Sequence, residues 1–168
     1  MSLTEKLLNI PEKYIYVVLG VLLIFPLLNP IGLPITIEDI THTYFEGIES
    51  FPSDTLVLAP HDASTGTEME IGLSSHIVIK HLFRKDFDIV FCTICSSGPP
   101  IFFETLKAEG LYDKFMDGYG TKYVYLDFIA GEEAGAASLA ASIRGATGGV
   151  DYFGNDLDSL PLMQGVDS

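Results

Sequence analysis

Basic residues are scarce in this chain: nine Lys and Arg stand against 23 Asp and Glu, a formal charge of −14 over 168 residues. A surface with that balance repels phosphate backbones, because binding them requires Lys and Arg to displace counterions, so DNA and RNA binding drop out. The charge favours cations, a basic partner or plain solubility. Alanine is missing before Ala59, which removes the small-residue cleavage site of a secretory signal peptide. Only two cysteines are present, half of the four ligands a structural zinc site needs. There is no G-x-G-x-x-G, no G-x-x-x-x-G-K-[ST] and no G-x-S-x-G. The usual glycine loops for nucleotides and the serine nucleophile elbow are therefore absent, and no cofactor is implied.

What is present in abundance is aliphatic sequence near the start. Ile15 to Leu28 carries no charge, and ionisable side chains other than tyrosine stay absent through Ile37. That length matches the roughly 20 residues a helix needs to cross a bilayer, and a helix apolar on every side has no face to turn to water. Residues 14–36 are expected to form a transmembrane signal anchor after a cytoplasmic lead at 1–13. Lys6 and Lys13 precede the anchor and no Lys or Arg follows until Lys80. The positive-inside rule thus places the N-terminus in the cytoplasm and the rest outside the cell membrane, as a single-pass protein. Pro26, Pro30 and Pro34 predict kinking or fraying from about Pro26 onward.

Beyond the anchor, Thr36 and Asp39 suggest a helix start, and residues 37–50 read as an amphipathic juxtamembrane helix. An α/β pattern then fills residues 51–168. Thr55–Ala59 reads as a short buried strand. Thr67-Glu68-Met69-Glu70 fits a capping box opening a helix to about Arg84, with Ile71, Val78, Ile79 and Leu82 inward. Phe87–Cys95 reads as a central parallel strand, apolar on both faces. Gly98-Pro99-Pro100 opens another helix ending at Gly110. Lys122–Phe128 is a third strand, Gly131–Arg144 a single alanine-rich helix, and the sequence from Gly145 on looks irregular. The alternation predicts an α/β fold: an N-terminal transmembrane helix followed by a small three-layer Rossmann-like domain with a mainly parallel sheet of about three strands.

Several segments together carry a resemblance: NPIGLPITI, GIESFPSDTLVL, HLFRKDFDIVF with SSGPP, KYVYLDFIAGEEA and DYFGNDLDSLPLMQGV. In these the chain resembles a family of prokaryotic membrane-anchored proteins with an outward-facing Rossmann-like domain. The resemblance implies a fold and a location but no activity. Its members usually continue into another strand and a second apolar segment, which leaves this chain either truncated at Ser168 or completed by a partner. The family pattern does not call for a cysteine pair at Cys92 and Cys95.

For chemistry, open α/β sheets bind ligands outside the strands' C-terminal ends. Those ends present His61 and Asp62, then Ser96, Ser97 and Gly98, then Asp127. Ser97 and Gly98 can hold an anion on exposed backbone donors, and Asp62 with Asp127 a divalent cation. The same residues are also ordinary turn and cap residues. Cys92 and Cys95 fall within a predicted strand on opposite faces, unlike a redox pair at a helix start. His76 and His81, five apart, do not share a helix face as a metal pair would. Asp151, Asn155, Asp156 and Asp158 lack the glycine and terminal glutamate of a calcium loop. Two expectations follow: a membrane-anchored module that assembles as a homo-oligomer or with another membrane subunit, and, as alternative, a ligand- or metal-binding sensor or enzyme using Asp62, Ser97 and Asp127.

Overall fold

The computed structural model describes residues 10–28 and 37–166, and its packing divides at His42 into two units, 1–42 and 43–168. In the first unit, Glu12–Leu28 forms helix α1, 17 residues with Pro26 inside it and no side chain buried. At 1.5 Å per residue it spans about 25 Å, short of the roughly 30 Å hydrocarbon core. Among the described residues no helix is long and apolar enough to cross a membrane. The expected anchor extends to residue 36, and 29–36, with the Thr36 cap, lie outside the described residues, as does most of the lead at 1–13. Helix α2, Asp39–Ser50, falls within the stretch 37–50 where an amphipathic helix is expected.

The second unit is built on a parallel sheet of three strands in the order β1 (Leu56–Pro60), β2 (Asp88–Thr93), β3 (Tyr123–Phe128). Between the strands run α3 (Glu68–Lys85), α4 (Gly98–Ala108) and the short α5 (Tyr112–Asp117). After β3 come α6 (Glu133–Ala141) and α7 (Ile143–Thr147), then 3₁₀ turns at Leu157–Ser159 and Pro161–Met163.

Strand alternation sorts the apolar side chains onto two faces. Ile89, Phe91, Tyr123 and Tyr125 pack with Phe83, Phe102, Leu106 and Phe115 from α3, α4 and α5. Val90, Cys92, Val124 and Leu126 pack on the other face with Leu157, Leu160 and Met163, with Leu139 and Ile143 against them. Three layers result, with β2 in the middle of the sheet, as its unbroken hydrophobicity predicts.

Several expectations are corrected. The first strand is not buried: β1 is an edge strand, with Leu56 and Leu58 left 45% and 46% exposed. Ile71, expected among the inward residues, is left 44% exposed. Thr67 does not close a capping box; its hydroxyl bonds back to Ser64 instead of capping α3. The single helix expected over 131–144 breaks at Ser142, where the backbone is extended and the side-chain Oγ caps α7 by accepting from the Gly145 N–H. The tail is irregular in outline, yet Leu157, Leu160 and Met163 form the second core. Cys95 lies beyond β2, not in a strand.

Candidate functional site

The C-terminal ends of the strands are held by one hydroxyl that the sequence reading passed over. Thr93, the last residue of β2, is fully buried. Its Oγ1 donates to Asp62 Oδ1 at 3.0 Å and accepts from the Cys95 N–H at 3.0 Å. Asp62 Oδ1 also accepts from the Ile94 N–H at 2.7 Å. Asp62 thus straps the loop after β1 to the loop after β2. Gly98 closes the arrangement from α4: a Cβ there would lie 2.4 Å from Thr93 Oγ1, so only glycine fits. Of the groups expected to hold a ligand, Asp62 Oδ1 is taken up in joining the strand ends, Oδ2 stays at the surface, and Gly98 leaves the room that Thr93 needs.

Asp127 sits where the register between β2 and β3 shifts, Phe91 facing Tyr125 but Thr93 facing Phe128. Its φ of 80° is one that side-chain-bearing residues rarely adopt. This bulge turns the end of β3, a feature no local sequence signal announces.

The expected site residues do not line one crevice. Ser97 borders a cavity of about 430 Å³ between α3 and α4, with Glu68, His76 and Thr105. His61 and Asp62 border a second of about 310 Å³, walled by Ala59, Ile71, Val78 and Leu82 with Ser74 and Ser75 at its side. Ser96 borders a third of about 530 Å³ with Cys95, Phe128 and Glu132. Asp127 lines none of these three.

His61 is the most unusual polar group. It is only 5% exposed, its ring sits edge-on to Phe102 at 5.6 Å, and neither ring nitrogen has a hydrogen-bond partner among the described residues. Burial holds its pKa below the usual imidazole range, against the pull of the Glu68 carboxylate. The imidazole is therefore neutral at pH 7. His76 lies nearby in a polar cluster: Nδ1 is 2.9 Å from Glu109 Oε1, and Nε2 is 3.3 Å from Thr105 Oγ1 and 3.4 Å from Glu68 Oε1. Glu109 also pairs with Lys80 at 2.8 Å, and that contact leads in holding its pKa low. The Glu109–His76–Thr105 relay has the order of a nucleophilic triad. Thr105 is 3% exposed within α4, at the wall of the 430 Å³ cavity.

His81 pairs with Glu49 of α2 at 2.8 Å, away from His76. Among the described residues no three His, Cys, Asp or Glu side chains come together as a metal site. Near the tail, Asp151 accepts from Tyr119 Oη, the Asn155 N–H and Asn155 Nδ2 at 2.7–2.9 Å, so its oxygens hold the turn together. Burial pushes the Cys92 thiol up to about 12, which keeps it protonated and unreactive.

Along β1 the geometry is of another kind. Leu58 pairs in register with Val90 and shares its face, yet Val90 is 2% and Val124 0% exposed while Leu58 stays half open. The tail covers this face over β2 and β3 and leaves it open at β1. Against models of protein families, curated proteins and solved structures, the chain matches none.

Proposed function

We propose that the chain is a membrane-tethered, extracytoplasmic α/β module that assembles with another protein through the open side of β1. The observation that carries this is the contrast along one sheet face, where Val90 and Val124 are sealed while Leu56 and Leu58 stay half exposed. A half-covered apolar row beside a strand edge that is unpaired among the described residues is a template for strand addition. The tether is α1, apolar around its circumference with every hydrophobic side chain open, continued in sequence by uncharged residues to Ile37. Lys6 and Lys13 ahead of it orient the module outward. The likeness to membrane-anchored proteins belongs to the same reading.

The test is site-specific photocrosslinking in intact membranes. A benzoylphenylalanine replacing Leu58 should yield a higher-mass adduct, and the same group replacing the exposed Asp117 should not. Equal yields at the two positions, or none at 58, would remove the proposal. A protease added outside intact cells should digest residues 43–166, and full protection would reverse the orientation.

The second reading, a ligand-binding sensor or enzyme at the strand ends, is favoured by the two unpartnered nitrogens of His61 beside its cavity. It has less behind it for Asp62 and Ser97, which border separate cavities, and for Asp127, which borders neither. Thermal stabilisation by magnesium, calcium or phosphate, lost in His61→Phe, would bring it forward.

A further inference from the structure

The backbone of β1 states what its free edge offers. The His61 N–H donates to Cys92 O at 2.8 Å, and Thr55 O accepts from the Asp88 N–H at 3.2 Å. In a parallel pair the groups of alternate residues turn to opposite sides. Residues 55, 57, 59 and 61 therefore bond toward β2, and Leu56, Leu58 and Pro60 present theirs outward. Pro60 has a carbonyl but no N–H, so the open edge holds two donors, at Leu56 and Leu58, and three acceptors. That suits a short extended segment of four or five residues, and Pro60 discourages longer pairing.

Charge decides who supplies the segment. Asp54 and Asp62, both exposed, stand at the two ends of β1, and neither has a cationic partner among the described residues. Every Lys and Arg of 43–166 is already engaged. Lys80 pairs with Glu109, Arg84 and Lys85 with Glu49, Lys107 with Glu104, Lys114 and Lys122 with Asp86, and Arg144 with Asp158. A second copy of this unit brings an uncharged strand flanked by carboxylates to an edge flanked by carboxylates. It has no free cation to offset them.

From this we infer that the open edge of β1 receives an extended segment of a different protein, apolar at alternate positions and carrying Lys or Arg at both ends. This rests on the assembly reading above and names the chemistry of its partner. The apolar side chains cover Leu56 and Leu58, the backbone meets the open groups of Leu56, Leu58 and Pro60, and the terminal cations meet Asp54 and Asp62.

The experiment uses the full chain in uncharged detergent and two capped decapeptides. Both have a Val-Thr-Val-Thr-Val-Thr centre, one with two lysines at each end and the other with two glutamates. The lysine peptide should bind at least about tenfold more tightly, and its affinity should fall severalfold between low and high salt as screening grows. Asp54→Lys, a change at an exposed turn that leaves the core alone, should narrow or invert the preference, and Leu58→Lys should abolish binding of both. If the peptides bind equally, or neither binds while sedimentation shows oligomers of the chain lost in Leu58→Lys, the occupant is not a basic segment and the inference fails, with assembly through β1 left standing. If neither peptide binds and the edge variants leave sedimentation unchanged, both fall.

Discussion

Thr93 shows how much a single buried hydroxyl can organise. It joins the turns after β1 and β2, so removing its partners should weaken the unit even though Asp62 itself is exposed. Asp62→Ala leaves Thr93 Oγ1 and the Ile94 N–H without their acceptor and should cost about 1–2 kcal/mol. Gly98→Ala drives a methyl into Thr93 and should cost about 2 kcal/mol. Urea unfolding measures both, and an Asp62→Ala variant as stable as the parent would return Asp62 to the free ligand groups. His61, Asp62, Ser96, Ser97 and Gly98 were legible as strand-end residues because short apolar runs ending in turn residues mark where strands stop. The separation of His61 and Asp62, Ser96, and Ser97 into three cavities was not, since it depends on how the helices lean on the sheet. Thr93 was hidden because a threonine at the end of a β-branched strand looks like any other strand residue.

Among the elements, the helices and strands of the unit follow their periodicity, and the departures have identifiable causes. The alanine-rich stretch promised one helix because alanine and the first-turn glutamates favour it. Ser142 instead takes an extended backbone and caps a new one, a local side-chain-to-backbone bond competing with propensity. β1 reads as buried because LVLA is continuously apolar, a pattern that does not say how many neighbours a strand has. The bulge at the end of β3 is likewise tertiary in origin. Asp127 there has a positive φ of 80°, which glycine adopts without strain, so Asp127→Gly should be tolerated with little change in stability. Asp127→Val should cost about 2 kcal/mol or more through backbone strain. If Asp127→Val matches the parent in thermal or urea unfolding, the bulge is not the strained feature it is taken to be.

For the whole unit, the pattern of buried titratable groups sets a pH window. Folding keeps Cys92 and Tyr123 protonated up to about 12 and raises Tyr119 and Tyr125 as well, chiefly by burial. In the unfolded chain these groups ionise from roughly pH 9 upward. Their contribution is therefore complete below that point and is lost as pH rises toward 12. On the acid side His61 stays neutral when folded, so stability declines as pH falls through the ordinary imidazole value of about 6.5. The urea midpoint should be highest between about pH 6.5 and 9, and Cys92→Val should soften the alkaline fall. A midpoint unchanged from pH 7 to 11 would contradict this.

Charge was legible at the same scale from composition alone. Its arrangement was not: that every cation of 43–166 is paired, and that Asp54 and Asp62 remain at the ends of β1, emerges only in three dimensions. The account as a whole stands on that open strand. Amide hydrogen exchange of the full chain, with and without the lysine-ended peptide, examines it most directly. In the chain alone, the Val57 and Ala59 amides should exchange slowly against β2 while those of Leu56 and Leu58 exchange quickly, and the peptide should slow Leu56 and Leu58 while leaving Val57 unchanged. Leu56 and Leu58 amides already protected without the peptide, or indifferent to it while protection appears elsewhere, would contradict the account.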